Sequence, residues 1–325
     1  MDRTKRRTLV ITLIAGVPIA VLLVWPQAVG AQMAPVIAQA IAFRAVLALG
    51  FAVLVVIAVV IALASRRRGV LRSVAVGLAV VFGVTAAGNA AILAARGSDG
   101  GIRERDLVVA AWNTQGGAAS PEAIARLVVA TEADVVSLPE TDADAAAEVA
   151  RLVALEGRDM AAATTGSSIP TSVLISRDLG EYRIDADAGT TPGLPSAVWR
   201  PVDGSGPTIV AAHPMPPLPH SMPAWWAGTA WATAICDEPD VIVAGDLNAT
   251  VDHLSGLLGG CRDAASEAGI AGVGTWPTTV PAWLGAPIDH VLAGSAWTIS
   301  GARVITSFDD AGSDHRPIVA TLSAR

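Results

Sequence analysis

The sequence predicts an α/β domain with two sheets, preceded by three transmembrane helices. Of its 325 residues, 52% are hydrophobic and only 16% are charged, whereas ordinary soluble proteins average about 25% charged residues. The apolar excess lies in residues 1–96, while residues 106–325 carry short apolar runs that alternate with helical patterns. We therefore expect a membrane domain over residues 1–96, a linker over 97–105 and a second domain over 106–325.

The membrane domain is predicted from three apolar stretches of nearly the length, about 20 residues, that a helix needs to cross the hydrocarbon core. Clusters of Lys and Arg precede the first stretch and separate the second from the third, whereas the loop over residues 26–40 is uncharged. Cationic loops stay cytoplasmic. This predicts a multi-pass protein of the plasma membrane, with the N-terminus inside and the second domain extracytoplasmic. The predicted spans are Thr8–Trp25, Ile41–Ala64 and Ser73–Ala95.

Two features of this region leave alternatives. The first stretch, followed by Val29-Gly30-Ala31, also fits a cleaved signal peptide, which would leave the second domain on the same outer side. Arg44 falls near the outer end of the second stretch, where we expect its side chain to reach the membrane interface.

The charge of the second domain argues against nucleic acid as its partner. Residues 97–325 contain twelve Arg, no Lys and twenty-eight acidic residues, a net charge of −16. Binding of DNA needs clustered Lys and Arg that displace counterions, and this surface would repel a polyanion. The only two cysteines, Cys236 and Cys261, lie in this domain. They form a disulfide if the domain is outside, or remain buried free thiols.

The elements of the second domain follow from periodicity and punctuation. A Val- and Ala-rich run predicts a first strand over Asp106–Trp112, and Ser120-Pro121-Glu122 is a typical helix start. A second strand is predicted over Asp134–Leu138 and an Ala-rich helix over Asp142–Leu155. Further strands are predicted over Ser172–Ser176, Thr208–Ala212, Val241–Ala244, Ile288–Leu292 and Ile318–Leu322.

Polar residues gather where these strands end or begin. Six segments share this placement: Trp112-Asn113, Pro139-Glu140, His213-Pro214, Gly245-Asp246-Leu247-Asn248, Pro287-Ile288-Asp289-His290 and Ser313-Asp314-His315-Arg316-Pro317. In this order the set resembles the endonuclease/exonuclease/phosphatase superfamily of metal-dependent phosphoesterases, which includes DNase I, over roughly residues 106–323. The segments Gly274-Thr275-Trp276-Pro277 and Ile288-Asp289-His290-Val291 resemble its membrane-anchored bacterial branch.

The resemblance implies a four-layer α/β/β/α sandwich with the site at one end of two sheets. It also implies a metal site of Asn113, Glu140 and Asp314, and oxygen ligands of this kind suit Mg²⁺ or Mn²⁺. One departure concerns Thr114-Gln115, where many relatives carry another acid.

The same resemblance implies five catalytic residues: His213, Asp246, Asn248, Asp289 and His315. Asp289 and His315 match an Asp-His pair in which the carboxylate fixes the imidazole tautomer, and His213 matches a donor to the phosphate or leaving oxygen. Asp246 and Asn248 alternate along an extended segment and should face one side. Whether Asp246 or His315 takes the proton from water stays open.

Each of these residues also has an ordinary structural explanation. Asn113 and Asp246 could cap turns at strand ends, Glu140 could cap the helix that begins near Asp142, and His213 could be a loop residue. Of the other histidines, His290 is expected in the core, and His220 and His253 at solvated loop positions.

Together these observations predict a membrane-anchored, metal-dependent phosphoric ester hydrolase. Its substrate is expected to be a lipid-linked or envelope-associated phosphate ester; the oligomeric state stays open. The proline-rich stretch 214–223, followed by Trp225 and Trp226, forms either a rigid loop over buried aromatics or an apolar lip beside the site. An extracellular nuclease and a catalytically inactive binding module are the alternatives.

Overall fold

The computed structural model describes residues 3–98, 100–101 and 107–325. The chain divides into two compact units, residues 1–95 and 96–325. Most of the predicted linker, and Asp106 at the start of the first predicted strand, lie outside the described residues.

Three of the helices in the first unit are long and apolar enough to cross a membrane. The first of these long helices ends one residue before the predicted end at Trp25, and the second ends at the predicted Ala64. The third begins at Gly69, four residues before the predicted start. The second predicted span is interrupted at Phe43, so that a short helix precedes the long one. The helices are α1 (Arg3–Val24), α2 (Ile37–Ala42), α3 (Arg44–Ala64) and α4 (Gly69–Arg96).

The side chain of Arg44 lies inside the bundle of the first unit. It is buried and donates hydrogen bonds to Asn89 Oδ1 (2.7 Å) in α4 and to the carbonyl of Val24 (3.2 Å) at the end of α1. The terminal carbonyls of a helix have no partner within it and carry the negative end of its dipole. A guanidinium group therefore finds acceptors inside this unit and has no need to reach solvent.

The second unit contains twelve strands and four α-helices among the described residues. The strands are β1 (Leu107–Ala111), β2 (Val135–Pro139), β3 (Met160–Thr165), β4 (Thr171–Ser176), β5 (Tyr182–Ile184), β6 (Ala197–Pro201), β7 (Ile209–Ala212), β8 (Ile242–Asp246), β9 (Arg262–Asp263), β10 (Asp289–Ala293), β11 (Trp297–Val304) and β12 (Ile318–Ala324). The helices are α5 (Pro121–Thr131), α6 (Ala143–Leu155), α7 (Met222–Ala234) and α8 (Ala264–Glu267).

The strands form two six-stranded mixed sheets, in the orders β11-β12-β1-β2-β4-β3 and β5-β6-β7-β8-β10-β9. Their inner faces share one core, in which Val109 of the first sheet and Ile242 of the second are fully buried. The outer face of the first sheet packs on α5 and α6, through Leu127 and Val149. Helix α7 buries one face, including Trp225. The predicted four-layer α/β/β/α architecture is confirmed.

The predicted helix starts are also found. Ser120 accepts a hydrogen bond from the backbone N–H of Ala123 at the start of α5, and Asp142 accepts one from Ala145 at the start of α6. Asp142 therefore caps α6, and Glu140 remains available for another role.

Strand directions explain why the six polar segments meet. β1 and β2 are parallel, as are β7 and β8, so all four end at one edge of the sandwich. The antiparallel neighbours β10 and β12 begin at that edge, with Asp289 opposite Asp246 and Ile318 opposite Ala111.

Cys236 and Cys261 form a disulfide across a separation of 25 residues. The closed segment contains all of β8 and the turn that follows it, and with them Asp246 and Asn248.

Candidate active site

The carboxylates of Glu140 and Asp246 approach each other around the side chain of Asn113. The Asn113 amide donates to Glu140 Oε1 at 3.0 Å and to Asp246 Oδ2 at 3.1 Å. Its own oxygen accepts the backbone N–H of Gln115 at 2.9 Å, so it is the amide nitrogen that faces the two acids. In this arrangement Asn113 links the two sheets, and it would present its oxygen to a metal only after the amide turns over.

Glu140 owes its position to an unusual backbone conformation. Its φ is +62°, and Gln115 (φ +53°) and Asn248 (φ +48°) share the left-handed region, which costs a non-glycine residue about 1–3 kcal/mol. The side chain of Glu140 is 27% exposed, against 3% for that of Asp246. Glu140 is thus the accessible acid and Asp246 the enclosed one.

Asp246 and Asn248 meet, but not by the expected strand alternation. β8 ends at Asp246, and the positive φ of Asn248 turns the chain so that its backbone N–H donates to Asp246 Oδ1 at 2.8 Å. The Asn248 side chain donates to the carbonyl of Pro214 at 3.0 Å and reaches Asp246 Oδ2 at 3.4 Å. The extended segment was therefore a wrong prediction, since a side-chain-capped turn is what brings the two residues together.

Asp289 and His315 form the expected pair. His315 Nδ1 lies 2.9 Å from Asp289 Oδ2, and its Nε2 lies 3.8 Å from Asp246 Oδ2. Burial lowers the pKa of His315, but the charges of Asp289 and Asp246 outweigh this and raise it above its usual range. Burial and the charge of Asp289 raise the pKa of Asp246, against the opposing effect of His315. Asp289 thus holds the ring with Nε2 turned toward Asp246.

His213 faces the same carboxylates from the second sheet. Its Nε2 lies 3.8 Å from Glu140 Oε1 and from Asp246 Oδ2, while its backbone N–H donates to Ser196 Oγ at 2.7 Å. Burial, and then the charge of His315, lower the pKa of His213 to about 3. The ring is therefore neutral near pH 7 and can act only as a neutral donor or acceptor.

Asp314 lies at the open side of the cluster. Its Oδ1 is 3.9 Å from His315 Nε2, and its Oδ2 accepts the indole N–H of Trp276 at 2.8 Å. The side chain of Gln115 accepts the backbone N–H of Asp314 at 2.9 Å. Gln115 stands where an additional acid was expected, and its amide supports Asp314.

All eight residues predicted for the site are brought together, and within the described part of the chain none of them is paired with Lys or Arg. The supporting contacts of Trp276, Gln115, Ser196 and Thr275 were not predicted. Thr275 Oγ1 accepts the backbone N–H groups of Ile288 and Asp289. Thr275 and Trp276 belong to a segment that resembles the family, but the sequence carries no signal for their partners.

The other histidines divide. His290 is buried in the core as expected, and His220 is exposed as expected. His253 is buried, with its Nδ1 accepting the backbone N–H of Thr250 at 2.8 Å and its ring edge-on to Trp225. The expectation of a solvated position was wrong for His253, because the turn after β8 folds inward beneath α7.

The cluster fits a divalent cation. Donor atoms of Asp246, Asp289 and His315 lie within 4.8 Å of one another, and the accessible carboxylate of Glu140 borders them. Asp289 Oδ1 is buried without a hydrogen-bond partner, although buried carboxylate oxygens normally have one. Burial first, and then the neighbouring charge of Asp289, raise the pKa of Asp246, and a bound cation would oppose the second of these effects.

An α/β/β/α sandwich with acids and histidines at one edge of its sheets defines a class of phosphoesterase-like domains. The model of the Endonuclease/Exonuclease/phosphatase family matches residues 110–315, and the chain belongs to this family. Family members are typically metal-dependent hydrolases of phosphoester bonds. Among curated protein sequences, none matches the chain.

Solved structures give the same fold at low identity. An endonuclease/exonuclease/phosphatase from Beutenbergia cavernae is 21% identical, with a TM-score of 0.53 over 68% of this chain and 72% of that one. A family member from Bacteroides vulgatus is 13% identical, with a TM-score of 0.50 over 68% and 100%. Truncated TDP2 of Caenorhabditis elegans is 20% identical, with a TM-score of 0.49 over 67% and 98%. The first two likenesses concern the fold alone.

Proposed function

We propose that this protein is a membrane-anchored phosphoesterase, dependent on Mg²⁺ or Mn²⁺, that hydrolyses a lipid-linked or envelope-associated phosphate ester. The observation that carries the proposal is the convergence of Asn113, Glu140 and Asp246 with the Asp289–His315 pair at one edge of the sandwich. Capping turns or isolated loop residues would not need partners from both sheets. The mutual hydrogen bonds of these side chains favour a single catalytic cleft over a binding module.

The chemistry assigns a part to each group. Glu140 and Asp314, the accessible acids, would hold the metal at the edge of the Asp246–Asp289–His315 cluster, with Asn113 beside Glu140. When bound, the metal would offset negative charge on the phosphate oxygens. Asp289 holds His315 in one tautomer, and His315 or Asp246 accepts the proton of the attacking water. Neutral His213 donates from Nε2 to a phosphate or leaving oxygen, and Asn248 orients Asp246 through its backbone N–H.

Charge supports a small or lipid-linked ester over a nucleic acid. Every charged side chain among the eight is an acid or an imidazole, and none is paired with Lys or Arg within the described residues. Nucleic-acid binding relies on such cations to displace counterions. The domain's net charge of −16 over residues 97–325 would also slow the approach of a polyanion.

Exposed apolar side chains in the segment that follows His213 support a lipid-linked substrate. The proline-rich loop starts directly after His213 and is tied to the site by the hydrogen bond from Asn248 to Pro214. Further along it, Leu218 is 45% exposed, and Trp226 in α7 is 41% exposed. Exposed aromatic and apolar groups of this kind favour a membrane interface. Trp225 is instead buried, as expected for a rigid loop over buried aromatic side chains.

The three apolar helices and the basic loops around them support the anchoring. With the N-terminus cytoplasmic, three crossings leave the catalytic domain on the outer side of the plasma membrane. The Cys236–Cys261 disulfide fits an oxidising compartment. Treatment of intact cells with a protease that cannot cross the membrane tests the topology. Cleavage of the domain is expected, and full protection would contradict the topology.

The activity test uses the full-length protein in detergent, with bis-p-nitrophenyl phosphate and Mn²⁺ or Mg²⁺. We expect turnover that EDTA abolishes and that Asp246→Ala and His315→Ala each reduce by at least about 10²-fold. The exposed Asp178 serves as the control through Asp178→Asn. Absence of turnover of any phosphate ester by the wild-type protein would leave only a binding module.

Substrate class is tested with vesicles that contain phospholipids, against plasmid DNA at equal phosphate concentration. Faster release of lipid headgroups supports the proposal, and Leu218→Ser with Trp226→Ser should then slow vesicle hydrolysis but not hydrolysis of the soluble ester. Faster degradation of plasmid would instead establish a nuclease.

A further inference from the structure

His290 directly follows Asp289 in β10, but its side chain points away from the site toward β9 and the turn after β8. Its ring is 1% exposed. Its Nδ1 lies 2.7 Å from Asp263 Oδ1 in β9, and its Nε2 lies 2.8 Å from the carbonyl oxygen of Ala249. Ala249 directly follows Asn248, so this ring connects the turn after β8 to β9.

Both partners of the ring are acceptors. A backbone carbonyl can only accept, and Asp263 already accepts the backbone N–H of Ser266 through Oδ2 at 2.7 Å. Burial would raise the pKa of Asp263, but the charge and hydrogen bond of His290 outweigh it and hold the pKa below its usual range. A ring with acceptors at both nitrogens donates from both.

The turn that carries Asp246 and Asn248 needs external support. Asn248 adopts a left-handed conformation (φ +48°), which persists only where the surroundings enforce it. The backbone N–H of Leu247 donates to Ile288 and the indole of Trp225 donates to the carbonyl of Asn248. His290 supplies the next contact along the chain.

We propose that His290 is a positioning residue, whose ring ties the Ala249 carbonyl to Asp263 through its two nitrogens and thereby holds Asp246 and Asn248 in the geometry that the reaction requires. The inference rests on the proposed phosphoesterase activity for its kinetic consequence. Its structural content, an anchored turn, stands independently of turnover. His290 touches none of the eight site residues by a side-chain hydrogen bond, so it acts through the backbone.

The two nitrogens can be separated by substitution. In His290→Gln the amide nitrogen falls near the position of Nε2 and keeps the bond to Ala249. In His290→Asn it falls near Nδ1 and keeps only the bond to Asp263. Val153→Ala in α6, a fully buried residue of the outer core of the first sheet, provides a destabilised control at a distance from the site.

The first measurement is steady-state hydrolysis of bis-p-nitrophenyl phosphate with Mn²⁺. We expect His290→Asn to lower kcat by about 10–100-fold, the usual effect of losing a residue that orients catalytic groups, with KM changed by less than about threefold. His290→Gln should recover most of this loss. Equal kcat in His290→Asn and Val153→Ala, at matched melting temperatures, would overturn the proposal.

The second measurement needs no activity. Hydrogen exchange read by mass spectrometry should be faster over residues 246–250 in His290→Asn than in His290→Gln or Val153→Ala, because the anchored carbonyl is released. In the metal-free wild type, the His290 ring should give two slowly exchanging imidazole N–H signals by NMR. Unchanged exchange over residues 246–250 would refute the anchoring, whereas lack of turnover in every variant would refute only the proposed function.

Discussion

The substitution Asp289→Asn tests the Asp289–His315 pair most directly. It keeps the size of a side chain that is fully buried and removes its negative charge. A hydrogen bond to a charged group contributes about 1.5–3 kcal/mol and one between neutral groups about 0.5–1.5. The difference, roughly 1.5 kcal/mol, corresponds to about a tenfold loss of kcat.

A second effect adds to this loss. If the new amide turns its NH₂ toward His315 Nδ1, the ring is held in the opposite tautomer and Nε2 presents a proton to Asp246. If His315 is the base that takes the proton from water, its proton-transfer contribution, about 10²–10⁴-fold, then disappears as well. We expect kcat for bis-p-nitrophenyl phosphate with Mn²⁺ to fall at least tenfold by the hydrogen-bond difference, about 1.5 kcal/mol.

The assay compares Asp289→Asn with Asp178→Asn, which removes an exposed carboxylate outside the site. Circular dichroism and thermal melts confirm that both variants are folded. If folded Asp289→Asn retained more than half of the wild-type kcat, the pair would have no part in the reaction and its geometry would be structural only.

Three further predictions concern the metal, the disulfide and acid stability. Glu140→Gln should raise the Mn²⁺ concentration for half-maximal activity at least about tenfold, measured by metal titration, because the accessible carboxylate loses its charge; an unchanged titration would exclude Glu140 as a ligand. Replacing Cys236 and Cys261 with Ser should lower the free energy of unfolding of the second domain by about 3.5 kcal/mol, the chain-entropy value for a 25-residue loop, as measured by urea unfolding; no loss would refute that estimate. The hydrogen bond to Arg200 lowers the pKa of Glu238 from 4.5 in the folded protein, so this carboxylate stabilises the fold above pH 4.5 and stops doing so as the pH falls through its lowered pKa. The melting temperature of Glu238→Gln should therefore fall less than that of the wild type between about pH 6 and about pH 3.5. An equal fall in both proteins would assign the acid sensitivity to other groups.

Much of the second domain was predictable because its central strands are buried on both faces. β1, β2, β7 and β8 read as largely apolar runs, which is typical of strands covered by another layer on each side. Their ends were therefore found to within a few residues. The capping residues Ser120 and Asp142 behaved as their types predict, because an N-cap depends only on local backbone geometry.

Strands without that pattern escaped prediction. β3 is rich in Ala and Thr and half-exposed at the edge of its sheet, β5 and β9 are two or three residues long, and β11 is interrupted at Gly301 by a change of register. Edge and short strands are defined by the neighbour they pair with, and no local sequence pattern records that neighbour.

The eight site residues were named from motif order, but their mutual arrangement was not. The turn at Asn248 depends on Pro214, Trp225 and Ile288, which lie far from it in sequence. The burial of His253 and Arg44 likewise depends on partners that only the folded chain supplies. The sequence identified the residue types of the site. Tertiary contacts determine which atoms of Asn113 and His315 point toward the carboxylates.

The left-handed backbone at Gln115, Glu140 and Asn248 has a consequence for engineering. Glycine at any of these three positions would relax the chain at no steric cost, so selection for heat resistance alone would favour it. Each such change would delete an amide or carboxylate from the cleft. Libraries screened only for thermal stability should therefore accumulate stable variants without hydrolytic activity, and these three codons should be kept unchanged.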